Sequence, residues 1–259
     1  MIETQRRNLW TFELGNGRRL PGVARLRDEW IELVLPLPDL VDAELPWRLL
    51  ADNGRLRGPA RFVRHDETRI GITADLPAAR EDREPMITAA LDSIQEAILV
   101  HHGDPVPEPA AGHGIDPDWT ALAAEHGWKV APREDGRVGV ELDAPGVMSQ
   151  GFIEPAPAGP LVCLTLLRTA TLEPVCRRAI AWFLLSLTSR LHLVRASIRP
   201  GESESLSLEV PLPAAAVSAR WLDLALEALS LAARSASREV RALSREPLAR
   251  TYLAHTLKE

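Results

Sequence analysis

The chain has 259 residues, 46% apolar and 25% charged, the make-up of a soluble globular protein of one large or two ordinary domains. Its 30 basic and 36 acidic residues leave a formal net charge of −6 and are mixed along the chain, which argues against the basic stripe of a nucleic-acid binder. No apolar run approaches the ~20 residues that span a bilayer, and "MIETQRRNLWTF" has no apolar signal-peptide stretch. The expectation is a cytoplasmic protein with no nucleic-acid or membrane partner.

Residues 8–36 read as a β-meander. Asn16-Gly17 is a hairpin signal, because both residues tolerate positive φ. Two alternating strands then turn at Asp28-Glu29, with Val23, Leu26, Ile31, Leu33 and Leu35 at the apolar positions. "PLPDLVDAELP" reads as a loop, and "WRLLADNG" as at most two helical turns stopped by Gly54. A second hairpin turns near Asp66-Glu67 and closes at Pro77. The helix of 81–103 has acidic residues in its first turn and Met86, Ala90, Ile94, Ala97 and Ile98 on one face. The segment from His101 to Pro117, rich in Pro and Gly, reads as a linker.

The second half starts with a short helix capped by Asp116 or Asp118 and stopped by Gly127. A hairpin turns at Glu134-Asp135-Gly136, and two more strands flank a Pro-Ala-Gly turn. The helix of 172–191 has Cys176, Ile180, Phe183, Leu187 and Leu191 on one face. Trp182 and Leu185 lie off that face, so more than one side of this helix is expected to be covered. Another hairpin turns at Pro200-Gly201. A long helix from about Ala214 to Arg245 then carries Val217, Trp221, Ala225, Leu229 and Ala232, and Pro247 ends or kinks it.

"ITADLPAA" at 72–79 returns as "LEVPLPAA" at 208–215. Each half runs meander, helix, hairpin, Leu-Pro exit, helix. The order of whole elements, more than the octapeptide, points to duplication. The expected class is α+β: two tandem repeats of an antiparallel sheet packed by helices. Residues 1–103 form the first repeat, without a leading helix and with a shortened middle helix. Residues 104–117 form the linker, and 118–259 the second repeat with its long C-terminal helix.

This order of elements resembles the type III secretion chaperone-like fold, which secretion chaperones share with the YbjN family of bacterial proteins. The second half carries the resemblance best. What the resemblance implies is a polypeptide-binding module without an active site or cofactor, whose members pair through the middle helix. In this chain that pairing implies an intrachain pseudo-dimer, and a homodimer is the other form it allows.

The candidates for chemistry are sparse. His101, His102, Asp104 and His113 fall in the linker, where metal ligands would lack fixed spacing. His65, Asp66 and Glu67 occupy a hairpin turn. Cys163 and Cys176 lie in apolar segments and read as buried thiols, which disfavours Cys163 with His192 as a nucleophile and base. "GNGRR" at 15–19 is better explained as a turn than as a phosphate loop, and "SESLS" at 203–207 as a polar strand edge. No catalytic, cofactor-binding or metal-binding residues are assigned. The seven tryptophans read first as core residues; the candidate interface residues are Trp30 and Trp47, which flank elements of the first repeat where an exposed Trp would anchor a partner, and Trp182 and Leu185, which lie off the apolar face of their helix. The expectation is a non-catalytic, chaperone- or adaptor-like module that binds a polypeptide in apolar grooves or at a sheet edge. A small-molecule binder with a pocket between sheet and helix, and an enzyme with an unrecognised site, stay open.

Overall fold

The computed structural model describes residues 8–13, 19–37, 44–65, 69–107, 118–142, 149–156, 158–199, 204–214 and 218–257; residues 8–13, 19, 80–82, 85 and 149 are described by backbone alone. The expected turns at Asn16-Gly17, Asp66-Glu67 and Pro200-Gly201, together with His113 and Val217, lie outside the described residues.

The first half runs β1 (Asn8–Glu13), β2 (Arg19–Arg27), β3 (Trp30–Pro36), α1 (Leu45–Arg55), β4 (Arg61–Arg64), β5 (Ile70–Pro77) and α2 (Arg80–His102). The second runs α3 (Trp119–Glu125), β6 (Val130–Pro132), β7 (Val138–Leu142), β8 (Ser149–Glu154), β9 (Leu161–Arg168), α4 (Pro174–Thr188), β10 (Arg195–Arg199), β11 (Ser205–Pro211), α5 (Ala219–Leu243) and α6 (Glu246–Leu257). The fold is α+β, with two antiparallel sheets ordered β1-β2-β3-β5-β4 and β10-β11-β9-β8-β7-β6.

The two orders coincide once β6 is set aside, and the registers agree as well. Ile72 faces Leu35 across β5–β3, and Leu208 faces Leu164 across β11–β9. Trp10 faces Gly22 across β1–β2, and Val140 faces Gly151 across β7–β8. Strand order and register can be kept through sequence drift because a one-residue slip would turn every side chain to the wrong face. α2 packs on β5 and β4, and α5 on β9, β11 and β7. One apolar core runs through both halves.

Local chemistry places most of the boundaries. Asp28 holds the β2–β3 turn at φ 53°, and Gly103 closes α2 at φ 74° with its amide on the Leu99 and Val100 carbonyls. Asp118 caps α3 by accepting from the Thr120 and Ala121 amides. Gly136 turns the β6–β7 hairpin at φ 78°.

Four expectations need correction. α1 has 11 residues, about three turns, because Pro46 sits in its first turn, where a missing N–H costs nothing. Gly54 is inside this helix and does not stop it. His101 and His102 end α2 and are not in the linker; His101 is half-buried with its ring 5.7 Å from that of Phe62, and burial lowers its pKa. The long C-terminal helix is two helices: α5 is capped by the Ser218 hydroxyl, and Pro247 sits in the first turn of the separate α6.

α4 is the central helix. It packs against α1, α5, α6, β4 and β10. Its deepest residues are Cys176, Ala179, Ile180, Ala181, Leu184, Leu185 and Thr188, whereas Phe183 and Leu187 are only half-buried. The widest apolar stripe is therefore not the deepest. Small residues go inward because several elements crowd this helix at once.

Candidate functional site

The two repeats interlock. α1 packs more extensively on β10 of the other repeat than on its own β4, and α4 reaches back to β4. Asn53 on α1 ties the two sheet edges together. Its Nδ2 donates to Phe62 O at 3.3 Å and to Ala196 O at 2.8 Å, and its Oδ1 accepts from Phe62 N at 2.7 Å. One fully buried amide thus serves the outer rim of β4 and the outer rim of β10, neither of which pairs with a further strand among the described residues. Gly54 follows because a β-carbon there would overlap the Ile198 carbonyl oxygen of β10.

Two arginines bridge the junction reciprocally. Arg61 opens β4 and pairs Asp75 on β5 at 2.8 Å; its Nε donates to Thr188 O, the last residue of α4, and its Nη2 to Leu191 O, just after it. Arg195 opens β10 and pairs Glu209 on β11 at 2.8 Å; its Nη1 donates to Gly58 O, just after α1. Each arginine pairs within its own sheet and ties down the segment that follows the other repeat's middle helix. All four side chains are no more than 3% exposed.

Around Asp75 lies the densest polar cluster. The Leu193 amide donates to Asp75 Oδ2 at 2.7 Å. To aim that amide, Leu193 adopts φ 67°, and Val194 N reaches back to His192 O at 2.8 Å. This is the rare positive-φ γ-turn, whose strain costs on the order of 1–3 kcal/mol. His192 Nδ1 is 3.6 Å from Asp75 and 4.0 Å from Glu32, and its ring stacks on Trp30 with centroids 5.3 Å apart. Glu32 accepts from Arg25 and, at 3.1 Å, from Arg27, which also donates to the Ser189 and Arg190 carbonyls. Burial opposes ionisation of Asp75, but Arg61, His192 and the Leu193 amide outweigh it and hold the carboxyl at about 2.

Glu32, Asp75 and His192 offer three ligand atoms within 4.8 Å of one another. A divalent cation there would have to displace Arg61 from Asp75 and face Arg25 and Arg27 on Glu32. The three guanidinium groups already exceed the two carboxylates in charge. The arrangement is that of a buried ion network that locks two repeats together. Sequence reasoning missed it because its members come from β2, β3, β4, β5 and the segment after α4. The one legible sign was an Arg opening both β4 and β10.

A stability effect follows from the depressed Asp75 pKa. Its contribution is complete above about pH 4 and disappears as the pH falls toward 2. The shift from 3.8 to about 2 corresponds to roughly 2 kcal/mol. Urea midpoints taken between pH 5 and pH 2 are expected to fall further for the native sequence than for an Arg61→Met/Asp75→Leu double variant.

The expected interface residues all fall at this junction or beside it. Trp30 meets His192 and, at 6.2 Å edge-on, Trp221. Trp47 on α1 lies under Arg177 of α4, and Trp182 on α4 lies under Arg64 of β4. Leu185 is fully buried. The three tryptophans make contacts between repeats within the chain.

The structure does not bring Cys163 and His192 together as nucleophile and base. His192 faces Asp75 and Trp30, whereas Cys163 on β9 accepts from Arg199 on β10 of the same second sheet. Burial and the Glu154 carboxylate push the Cys163 thiol up to about 12, so it holds no thiolate near neutrality. Cys176 is also buried. Ellman's reagent at pH 8 is expected to label neither thiol in the native protein and both in denaturant.

Two features face outward. A cleft of about 430 Å³ is lined by Arg57, Ser93, Glu96, Val106, Pro107 and Pro213, among others, at the seam of α2 with the second repeat. The other is the rim of β1, with Leu26 of the neighbouring β2. β1 pairs only with β2 among the described residues, while its counterpart β7 is covered by β6. Leu26 is 59% exposed.

Strand order, register and reciprocal arginines define an internally duplicated α+β protein whose halves are joined by a buried ion network. Comparison with protein-family models, curated proteins and solved structures finds no match to this chain. Among the described residues, no helix is long and apolar enough to cross a membrane.

Proposed function

We propose that the chain is a non-catalytic polypeptide-binding module, chaperone- or adaptor-like, in which two repeats pair as an intrachain pseudo-dimer. One observation carries this reading. The junction uses up the β4 and β10 rims, α1 and α4, and among the described residues leaves the β1 rim without a further strand, with Leu26 of the adjoining β2 exposed. A partner chain is then bound by strand pairing and apolar contact, modes that need no reactive group. The middle helices of both repeats build the junction, as the type III secretion chaperone-like resemblance leads one to expect. Two free, buried thiols suit a reducing compartment, and we place the protein in the cytoplasm.

The test is an array of 15-residue peptides of varied sequence, probed with the purified protein. Selective retention of apolar peptides supports the reading. Uniform or absent retention rejects it.

A small-molecule reading has the 430 Å³ cleft in its favour. That cleft lies at the repeat seam. Beneath α2, between sheet and helix, Phe62, Ile72, Ala90, Ile94 and Ala97 are fully buried. Metabolite-induced shifts in melting temperature that vanish on filling the cleft from its exposed wall with Gln95→Trp would favour this second reading.

A further inference from the structure

The duplication allows the two seams between the repeats to be compared position by position. Trp30 pairs with Pro77 across β3–β5, and beside that pair Ala78 N donates to Glu29 O at 2.8 Å. In the second repeat Ala214 N donates to Ala158 O at 3.0 Å. Pro213 therefore matches Pro77, and Gly159 stands where the first repeat has Trp30. Gly58 precedes Arg61 by three residues, as His192 precedes Arg195. Trp30 and His192 stack in one seam with centroids 5.3 Å apart, and Trp221 of α5 meets Trp30 edge-on. In the other seam glycines take both ring positions, and Gly58, Ala158 and Pro213 line the cleft of about 430 Å³. Among the described residues no aromatic side chain lines it.

Packing keeps this cleft open. A β-carbon on Gly159, held at φ 129°, would overlap the Leu212 carbonyl oxygen. One on Gly58 would come within 2.6 Å of Ser93 Cβ on α2. Neither position can regain the ring that its counterpart carries.

The walls suit an indole. Ala89, Leu99 and the prolines supply apolar surface. Arg57 is held in its guanidinium plane by Glu96 Oε1 and by Pro107 O, each at 2.7 Å. A guanidinium fixed in this way is a stacking partner for an aromatic ring. The chain already uses that pairing at Trp47 with Arg177 and at Trp182 with Arg64. Asp92 and Gln95, both exposed, supply acceptors for an indole N–H, as Asp223 does for Trp128 at 2.7 Å. Arg57 and Glu96 offset each other in charge, so Asp92 leaves the lining with a negative excess.

We propose that this cleft receives a tryptophan side chain of a partner polypeptide, followed by a basic residue that Asp92 attracts. The inference rests on the polypeptide-binding reading and names the side chain selected and where it is held.

The probe is a short glycine–serine peptide with a central fluorotryptophan followed by lysine, titrated with the full chain while its fluorine resonance is followed. The expected result is a saturable shift with a dissociation constant below about 1 mM. Phenylalanine in place of the tryptophan lacks the N–H and is expected to weaken binding about fivefold. Glutamate in place of the lysine is expected to weaken it about threefold, and Asp92→Asn to erase that difference. Gln95→Trp sets an indole in the cleft from its exposed wall and is expected to abolish binding, whereas Leu26→Asp on β2 leaves it intact. No saturable binding up to about 1 mM overturns the proposal. So does binding that Gln95→Trp leaves unchanged. Free indole that binds saturably, is blocked by Gln95→Trp and is not displaced by the peptide names a small molecule as the occupant and also overturns it. Array peptides that are retained without regard to tryptophan, and equally by Gln95→Trp, remove this site and leave the polypeptide-binding reading standing. If no peptide binds anywhere, both fall.

Discussion

Arg61→Ala is expected to lower the unfolding free energy by about 3–5 kcal/mol, the range for removing one partner of a buried ion pair. Asp75 would be left fully buried without its guanidinium, and the carbonyls of Thr188 and Leu191 would lose their donors. Against a typical stability of about 5–15 kcal/mol this is a large fraction. A lowered urea midpoint with unchanged slope is the readout. Arg61→Met with Asp75→Leu removes both charges and is expected to recover much of the loss, since well-packed apolar pairs often match buried ion pairs. Recovery stays incomplete because the Leu193 amide and the two carbonyls still lack partners. If the single variant costs under about 1 kcal/mol, the bridge behaves as a surface pair and does not lock the junction.

Gly54→Ala has the opposite sign from what its helix suggests. On propensity alone, alanine for glycine inside a helix stabilises by about 1 kcal/mol. Here the β-carbon would meet the carbonyl oxygen of Ile198, a backbone atom of β10 that cannot swing away. The two elements must separate, and overpacking of this kind costs about 1–3 kcal/mol or more. The neighbouring Asn53 bonds to Phe62 and Ala196 would lengthen too. A net loss of about 1–2 kcal/mol in chemical denaturation is expected. A neutral or stabilising result would show that α1 does not approach β10 this closely.

Both effects arise where sequence reading had least purchase. Gly54 carries the same letter whether it ends a helix or lets a strand come close. Asn53 reads as a helix-end residue, yet its amide joins β4 to a strand 143 positions away. The four interface candidates were chosen for aromatic size or for lying off a helix's apolar face, which identifies residues that bury area but not the surface they bury it against. Trp30 and Trp182 meet the other half of the same chain. Pro247 was read as a breaker, although a proline also fits the first turn of a new helix.

The order and type of most elements, the turns at Asp28-Glu29 and Glu134-Asp135-Gly136, and the duplication were legible because each rests on neighbours in the chain. Alternation is set by residues two apart, helical faces by residues three and four apart, and turns by single Asp, Asn or Gly residues. The repeat needs only that such patterns recur in the same order, as they do at Ile72 and Leu208. The exchange of middle helices and the network of Arg61, Asp75, Glu32 and His192 are set by contacts across 100 residues or more, as in Arg61 with Leu191, 130 positions apart. So is the rim of β1, which pairs only with β2 among the described residues. Buried charges and unfilled apolar faces depend on which surfaces meet, and that follows from packing the whole chain into one core.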